Sequence, residues 1–96
     1  MEILVTYDVA TETPEGKRRL HKVAKVCEAF GQRVQKSVFE CTLDAAGLEK
    51  LKHRLEKIIK ESEDSLRFYR LPEPREKHVQ VMGRQLAYDL HHPLIT

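Results

Sequence analysis

The order of hydrophobic periodicities along the chain constrains its fold more than any other feature. Apolar residues alternate with polar ones in some segments, as in strands, and recur at helical spacing in others. In chain order, the predicted segments are a strand at 3–9, a helix at 14–30, strands at 33–36 and 37–43, a helix from 45 to about Ser62 and a strand at 65–71. This order predicts an α+β protein, a ferredoxin-like βαββαβ sandwich with an appended C-terminal strand.

Both predicted helices begin at residues that suit a helix start. Thr13 followed by Pro14 provides an N-cap and a first-turn proline for the first helix, which should end before Gly31. Asp44 provides the N-cap of the second helix, because its carboxylate can accept a hydrogen bond from a free N–H group of the first turn.

The chain has the length of one domain. Its 96 residues leave no room for a second core. We assign residues 1–73 to the ferredoxin-like core and residues 74–96 to a C-terminal strand and tail of the same domain. Val79, Val81 and Gly83 suggest the added strand, which we expect to be swapped onto the sheet edge of a partner subunit.

A homodimer is the expected state, because two helices can cover only one face of a four-stranded sheet. The other face carries Leu4, Thr6 and Asp8 from the first strand, and its first part is too apolar to face water comfortably. Packing two such faces together across a two-fold axis would cover both.

Composition indicates a cytoplasmic protein without a membrane partner. Charged residues make up 33% of the chain, the mean hydropathy is −0.52, and no apolar run approaches membrane-spanning length. The first residues lack the basic region of a signal peptide. Cys27 and Cys41 lie in apolar patterns without metal-ligand spacing, so we expect them to be buried, reduced thiols.

Asp8 is the first candidate for a catalytic residue. It ends an apolar strand, where an uncompensated carboxylate would be costly to bury. It could cap the next loop or pair with a basic residue such as Arg33. In the expected dimer, two Asp8 carboxylates would meet, and like charges that close need a shared cation or a proton. Two carboxylates with water suit Mg²⁺, which could position a water for phosphodiester hydrolysis.

Positive charge is concentrated in one segment. Residues 17–36 hold seven basic side chains and one acid, Glu28, a net charge of +6, whereas the whole chain carries only +2. Lys17, Arg18 and Arg19 lie in the first turns of the first helix, whose free N–H groups also favour phosphate. A solvated helix face and a phosphate-binding surface explain this run about equally well.

The order and spacing of several motifs resemble those of the CRISPR-associated Cas two family over residues 3–71. The matching segments are Tyr7-Asp8-Val9, Lys17-Arg18-Arg19-Leu20, Val23-Ala24-Lys25, Cys27-Glu28, residues 30–35, residues 37–41, Asp64-Ser65 and Arg67-Phe68-Tyr69. The resemblance implies a homodimer that acts in CRISPR adaptation, where it bridges dimers of the Cas one integrase during acquisition of new spacers from duplex DNA.

The resemblance also implies an enzyme and its site. Family members are described as metal-dependent endonucleases on single-stranded RNA or double-stranded DNA, with the residue that matches Asp8 as the shared Mg²⁺ ligand and Mn²⁺ as the alternative ion. A purely structural DNA-binding adaptor without physiological nuclease activity is the alternative function. The expected nucleic-acid-binding residues are Lys17, Arg18, Arg19, Arg33 and Ser37, and the accessory residues are Tyr7 and Phe39.

Overall fold

The chain forms one four-stranded antiparallel sheet with two helices on one face, as the sequence predicts. The computed structural model describes residues 1–83. Its elements are β1 (Glu2–Asp8), α1 (Pro14–Phe30), β2 (Gln32–Gln35), β3 (Val38–Thr42), α2 (Ala45–Glu56), β4 (Ser65–Leu71) and a 3-10 turn at Arg75–Lys77. The strand order β2-β3-β1-β4 confirms the ferredoxin-like fold.

Side-chain hydrogen bonds fix the starts of both helices. The hydroxyl of Thr13 accepts from the N–H of Gly16 at 3.0 Å, and the carboxylate of Asp44 accepts from the N–H of Gly47 at 2.6 Å. Both predicted N-caps are therefore confirmed. In residues 1–83 neither helix combines the length and the apolar character that crossing a membrane requires.

The second helix is shorter than predicted. It ends at Glu56 rather than near Ser62, although its apolar stripe continues through two half-buried isoleucines and so suggests a longer helix. Asp64 organises the turn that follows the helix, where its contact with Lys60 takes the place of a helical hydrogen bond. The N–H of Asp64 donates to the carbonyl of Lys60 at 2.8 Å, and the Asp64 carboxylate accepts from the N–H of Lys60 at 2.8 Å.

The two faces of the sheet differ in what covers them. On the helix-covered face, Val5 pairs with Phe39 on one side and Phe68 on the other, and Val5 and Phe39 are fully buried. The opposite face, called the open face below, has no helix packed on it in residues 1–83. Cross-strand register places on it the side chains of Leu4, Thr6, Asp8, Val38, Glu40, Ser65, Arg67 and Tyr69.

The segment after β4 turns back across one end of the open face. Arg75 donates from Nη1 to Oε1 of Glu2 at 2.7 Å, and its Nε lies 3.3 Å from Oε1 of Glu40. Residues 78–83 form no strand within the chain, and Val81 and Met82 are exposed. The predicted swapped strand needs a second subunit and stays a prediction, and residues 84–96 lie outside the described part of the chain.

Candidate nucleic-acid and metal site

Asp8 is exposed at the end of β1 on the open face. Its cross-strand neighbour on β4 is Ser65, the last pair of the β1–β4 ladder. Within residues 1–83 the Asp8 carboxylate forms no hydrogen bond or ion pair, so it neither caps the next loop nor pairs with Arg33 there. Its charge is available to a cation or donor from outside this part of the chain.

Arg33 lies on the helix-covered side of the sheet, away from Asp8. Its guanidinium stacks over the ring of Phe39 at 5.1 Å from the centroid, and its Nη2 donates to the hydroxyl of Tyr7 at 3.4 Å. The rings of Tyr7 and Phe39 stack with centroids 6.1 Å apart. The Tyr7 hydroxyl donates to the carbonyl of Lys36 at 3.2 Å. These three residues therefore pack the β2–β3 turn against the strand that carries Asp8.

The phenol of Tyr7 is protonated and uncharged in this cluster at neutral pH. Burial raises the pKa of Tyr7, although the hydrogen bond and positive charge of Arg33 oppose the shift. Ser37 lies next to it in the β2–β3 turn, where its carbonyl accepts from the N–H of Tyr7 at 3.1 Å. The fold thus brings Ser37 to the same end of the sheet as Asp8.

Arg19 binds a buried carboxylate. Its Nε donates to Oδ2 of Asp64 at 2.7 Å and its Nη2 to Oδ1 at 3.1 Å, and Nη2 also reaches Oε1 of Glu63 at 3.3 Å. The Asp64 side chain is 0% exposed and that of Arg19 is 15% exposed. If Arg19 turned away from Asp64 to bind a phosphate, the buried Asp64 carboxylate would lose its charge partner, which is strongly unfavourable. Arg19 is therefore placed as a structural residue, unlike its neighbours in the basic run.

The exposed basic residues at the start of α1 lie on the helix side of the molecule. Lys17 and Arg18 are exposed on α1, and Arg18 makes only a 3.7 Å surface contact with Glu15. A shallow depression of about 320 Å³, called the basic groove below, runs between α1 and the segment that follows α2. Its lining residues are Glu15, Arg18, Arg19, Lys22, Lys57 and Ile58.

Two residues of this region were not predicted from the sequence to take part in it. Lys57 adds a positive charge to the basic groove, yet it lies far from the basic run in sequence. Asp64 partners Arg19 across 45 positions. The motif Asp64-Ser65 could have drawn attention to Asp64, but nothing in its spacing indicates its partner.

Burial makes the two cysteines poorly suited to nucleophilic or metal-binding chemistry at neutral pH. Both are buried, as predicted, and burial raises the pKa of Cys27 to about 12 and that of Cys41 to about 11. A protonated thiol is a poor nucleophile and a poor metal ligand.

Asp8 of one chain is not a complete metal site. Residues 1–83 contain no group of three or more His, Cys, Asp or Glu side chains that could hold a metal ion. The hard carboxylate oxygens of Asp8 suit Mg²⁺, which accepts one or two protein carboxylates and keeps several waters. The carboxylate of Asp8 is therefore a suitable kind of ligand for Mg²⁺, but residues 1–83 of one chain do not supply a three-ligand site around it.

Comparisons with known proteins find relatives over nearly the whole chain. The family model described as CRISPR associated protein Cas2 matches residues 1–79. The chain is 59% identical over 95 residues to a protein of Moorella thermoacetica named CRISPR-associated endoribonuclease Cas2 1, with 99% of each chain covered. It is 48% identical to the CRISPR-associated endonuclease Cas2 of Halalkalibacterium halodurans, again with 99% of each covered.

The fold of this chain matches that of a solved crystal structure. The crystal structure of Streptococcus pyogenes Cas2 at pH 6.5 matches with a TM-score of 0.79 and 53% sequence identity. The match covers 86% of this chain and 100% of that chain.

Acid should weaken the contact between Arg19 and Asp64. The hydrogen bond from Arg19 holds the pKa of the Asp64 carboxyl below its usual value, although burial opposes this, and the N–H groups of Lys60 and Ala10 act in the same direction as Arg19. A lowered pKa contributes stability above the unfolded-state pKa of about 3.9, and this stability is lost as the pH falls through the folded pKa. We expect the free energy of unfolding, measured by urea titration, to fall below about pH 4.

Asp64→Asn should remove this contribution. The variant should lose roughly 3 kcal/mol at pH 7, because Arg19 keeps its charge without a buried partner, and its stability should fall less steeply in acid. Glu63→Gln is the matched control, since Glu63 also accepts from Arg19 but is 38% exposed, and it should change stability much less. If the free energy of unfolding changed with pH in parallel for wild type and Asp64→Asn, this account would be contradicted.

Proposed function

The chain belongs to the Cas2 family, and on that basis we propose that it acts as a homodimer in which two Asp8 side chains form one magnesium-dependent phosphodiesterase site. The observation that carries the proposal is the placement of Asp8, exposed at the end of a central strand, on the open face, without a partner in residues 1–83. The names of the relatives, endoribonuclease and endonuclease, support cleavage of nucleic acid.

The open face supports the dimer. Leu4 and Val38 are only half-buried on it, and Tyr69 is 42% exposed. A second copy packed on this face would remove their apolar surface from water, which is worth about 25 cal/mol per Å². A two-fold axis that passes near the end of β1 would bring the two Asp8 carboxylates together, and their repulsion would be relieved by a shared Mg²⁺ or, as the alternative ion, Mn²⁺.

The residues around Asp8 have separable tasks in this proposal. When bound, Mg²⁺ would stabilise negative charge on the phosphate and supply a water of lowered pKa. Tyr7 and Phe39 hold the β2–β3 turn against β1 and so keep Asp8 at the sheet end. Lys17 and Arg18, together with the basic groove, would bind phosphates of single-stranded RNA or double-stranded DNA away from the cleaved bond.

We further propose that the dimer serves CRISPR adaptation in the cytoplasm, where it would bridge dimers of the Cas one integrase and hold duplex DNA while new spacers are acquired. Family membership supports this role. In a dimer joined through the open faces, both helix layers point outward, so two basic grooves would lie on opposite sides of one particle. A purely structural adaptor is the second candidate, and the basic groove favours it because phosphate binding there needs no metal.

Asp8→Asn should abolish Mg²⁺-dependent cleavage and leave a folded dimer. Subunit exchange between wild-type and Asp8→Asn chains then tests whether one site needs both carboxylates. With a shared site, only dimers of two wild-type chains are active, so the activity follows the square of the wild-type fraction. An equal mixture then retains about one quarter of the wild-type activity, whereas independent sites would retain about half. Glu12→Gln, which removes an exposed carboxylate from the β1–α1 loop, is the control and should keep full activity. A linear dependence, or cleavage by Asp8→Asn at the wild-type rate, would contradict the shared site.

Neutralising exposed basic residues of α1 should weaken DNA binding in a salt-dependent way. In the variant Lys17→Gln, Arg18→Gln, Lys22→Gln, the negative slope of log affinity against log salt should become less steep by about 0.9 for each lost phosphate contact. Fluorescence anisotropy with a labelled duplex measures this slope. Lys50→Gln combined with Lys77→Gln, which removes charge elsewhere on the surface, is the control.

A spacer-acquisition assay separates the two candidate roles. The triple variant should fail in either role, since both need phosphate contacts. Acquisition that persists in Asp8→Ala would favour the structural adaptor, and acquisition lost in Asp8→Ala would favour the enzyme. An unchanged salt slope in the triple variant would contradict the assignment of the basic groove.

A further inference from the structure

We infer that Asp64 is the positioning residue of the Asp8 site, because its carboxylate fixes the backbone immediately beyond Asp8. This inference rests on the proposed function of Asp8. It concerns a residue that would touch neither the metal nor the substrate and would act through the loop that it holds.

The first observation is where the β1–β4 ladder ends. Asp8 and Ser65 form its last pair, and no backbone pairing follows. Asp64 lies one residue before β4, and its side chain continues the connection between the two segments. Its Oδ1 accepts a hydrogen bond from the N–H of Ala10 at 3.2 Å. Asp8 is thus held on both sides, by the ladder at Ser65 and by the Asp64 contact two residues further on.

The second observation is that Asp64 itself is fixed. Its side chain is 0% exposed, and all its hydrogen bonds are internal. Oδ1 also accepts from Arg19 at 3.1 Å, and Oδ2 accepts from Arg19 at 2.7 Å and from the N–H of Lys60 at 2.8 Å. One carboxylate therefore joins the loop after β1, the helix α1 and the turn before β4.

The third observation is that α1 holds the other side of the same loop. A Cβ atom on Gly16 would lie 2.0 Å from the carbonyl oxygen of Ala10, so the helix backbone packs directly against the loop. Ala10 is held by Asp64 at its N–H and confined by Gly16 at its carbonyl. Displacing a reacting group by about 1 Å can cost about 100-fold in rate, so an anchor this close to Asp8 matters for cleavage.

The experiment compares wild type with Asp64→Asn and with a control, Glu63→Gln. Glu63 also accepts from Nη2 of Arg19, at 3.3 Å, but within residues 1–83 its side chain makes no hydrogen bond to the loop after β1. Three quantities are measured: amide hydrogen exchange at Ala10, Mn²⁺ affinity by electron paramagnetic resonance, and kcat and KM for nucleic-acid cleavage with Mg²⁺.

A positioning role predicts a specific pattern. Asp64→Asn should speed Ala10 exchange at least about tenfold, weaken Mn²⁺ binding about 10- to 100-fold, and lower kcat about 100-fold with KM unchanged. Glu63→Gln should leave all three quantities close to wild type. If Asp64→Asn does not fold, Arg19→Lys replaces it, because it keeps the positive charge beside Asp64 but loses the two-pronged contact, and it should give smaller changes in the same direction.

The outcomes separate this inference from the proposed function. A wild-type protein that neither binds Mn²⁺ nor cleaves nucleic acid would refute the proposed function, and Ala10 exchange would still decide whether Asp64 holds the loop. Unchanged Ala10 protection in Asp64→Asn would overturn the inference, as would unchanged Mn²⁺ affinity and kcat in a wild-type background that shows both activities.

Discussion

In residues 1–83, two helices cover one face of a four-stranded sheet and leave the opposite face, which carries Asp8, without a helix. The helix-covered face buries Val5 and Phe39 completely, whereas Leu4, Val38 and Tyr69 stay partly exposed on the other. Because β1 ends on this open face with Asp8, a second copy packed along the whole of the face would also approach the carboxylate. The proposed dimer and the proposed metal site are therefore two consequences of the same uncovered surface.

The fold places Asp8 and the basic start of α1 on different sides of the molecule. Asp8 belongs to the open face, while Lys17, Arg18 and the basic groove belong to the helix layer. The β1–α1 loop connects these sides, and Asp64 and Gly16 hold it in place. Asp8 can thus be substituted without changing the basic groove, which is why Asp8 variants separate the proposed enzyme role from the proposed adaptor role.

Local patterns were sufficient to predict most of the fold. Thr13 and Asp44 cap the helices as expected, and the alternation in β1 correctly assigns Ile3, Val5 and Tyr7 to the buried face. Contacts between distant segments were not predictable in this way. The turn after α2 is built around Asp64, which lies beyond the apolar stripe.

The same distinction applies to the candidate site. The strand alternation and the end of the apolar run single out Asp8, and the basic run singles out Lys17 and Arg18. The basic run could not show that Arg19 is taken by Asp64, because that contact spans 45 residues and depends on how α1 packs beside the turn before β4. Lys57 was likewise not predictable from the basic run, because it lines the basic groove only through the packing of the segment after α2 beside α1.

Cross-linking through position 8 tests most directly whether two Asp8 side chains meet. In Asp8→Cys the introduced thiol is exposed, whereas Cys27 and Cys41 are buried with pKa values raised to about 12 and about 11 and should not react. Lys25→Cys places the control thiol on the exposed side of α1. The account predicts that a short thiol-specific cross-linker joins Asp8→Cys chains into dimers and leaves Lys25→Cys chains unlinked. A protein that sediments as a dimer but whose Asp8→Cys chains stay unlinked would contradict it.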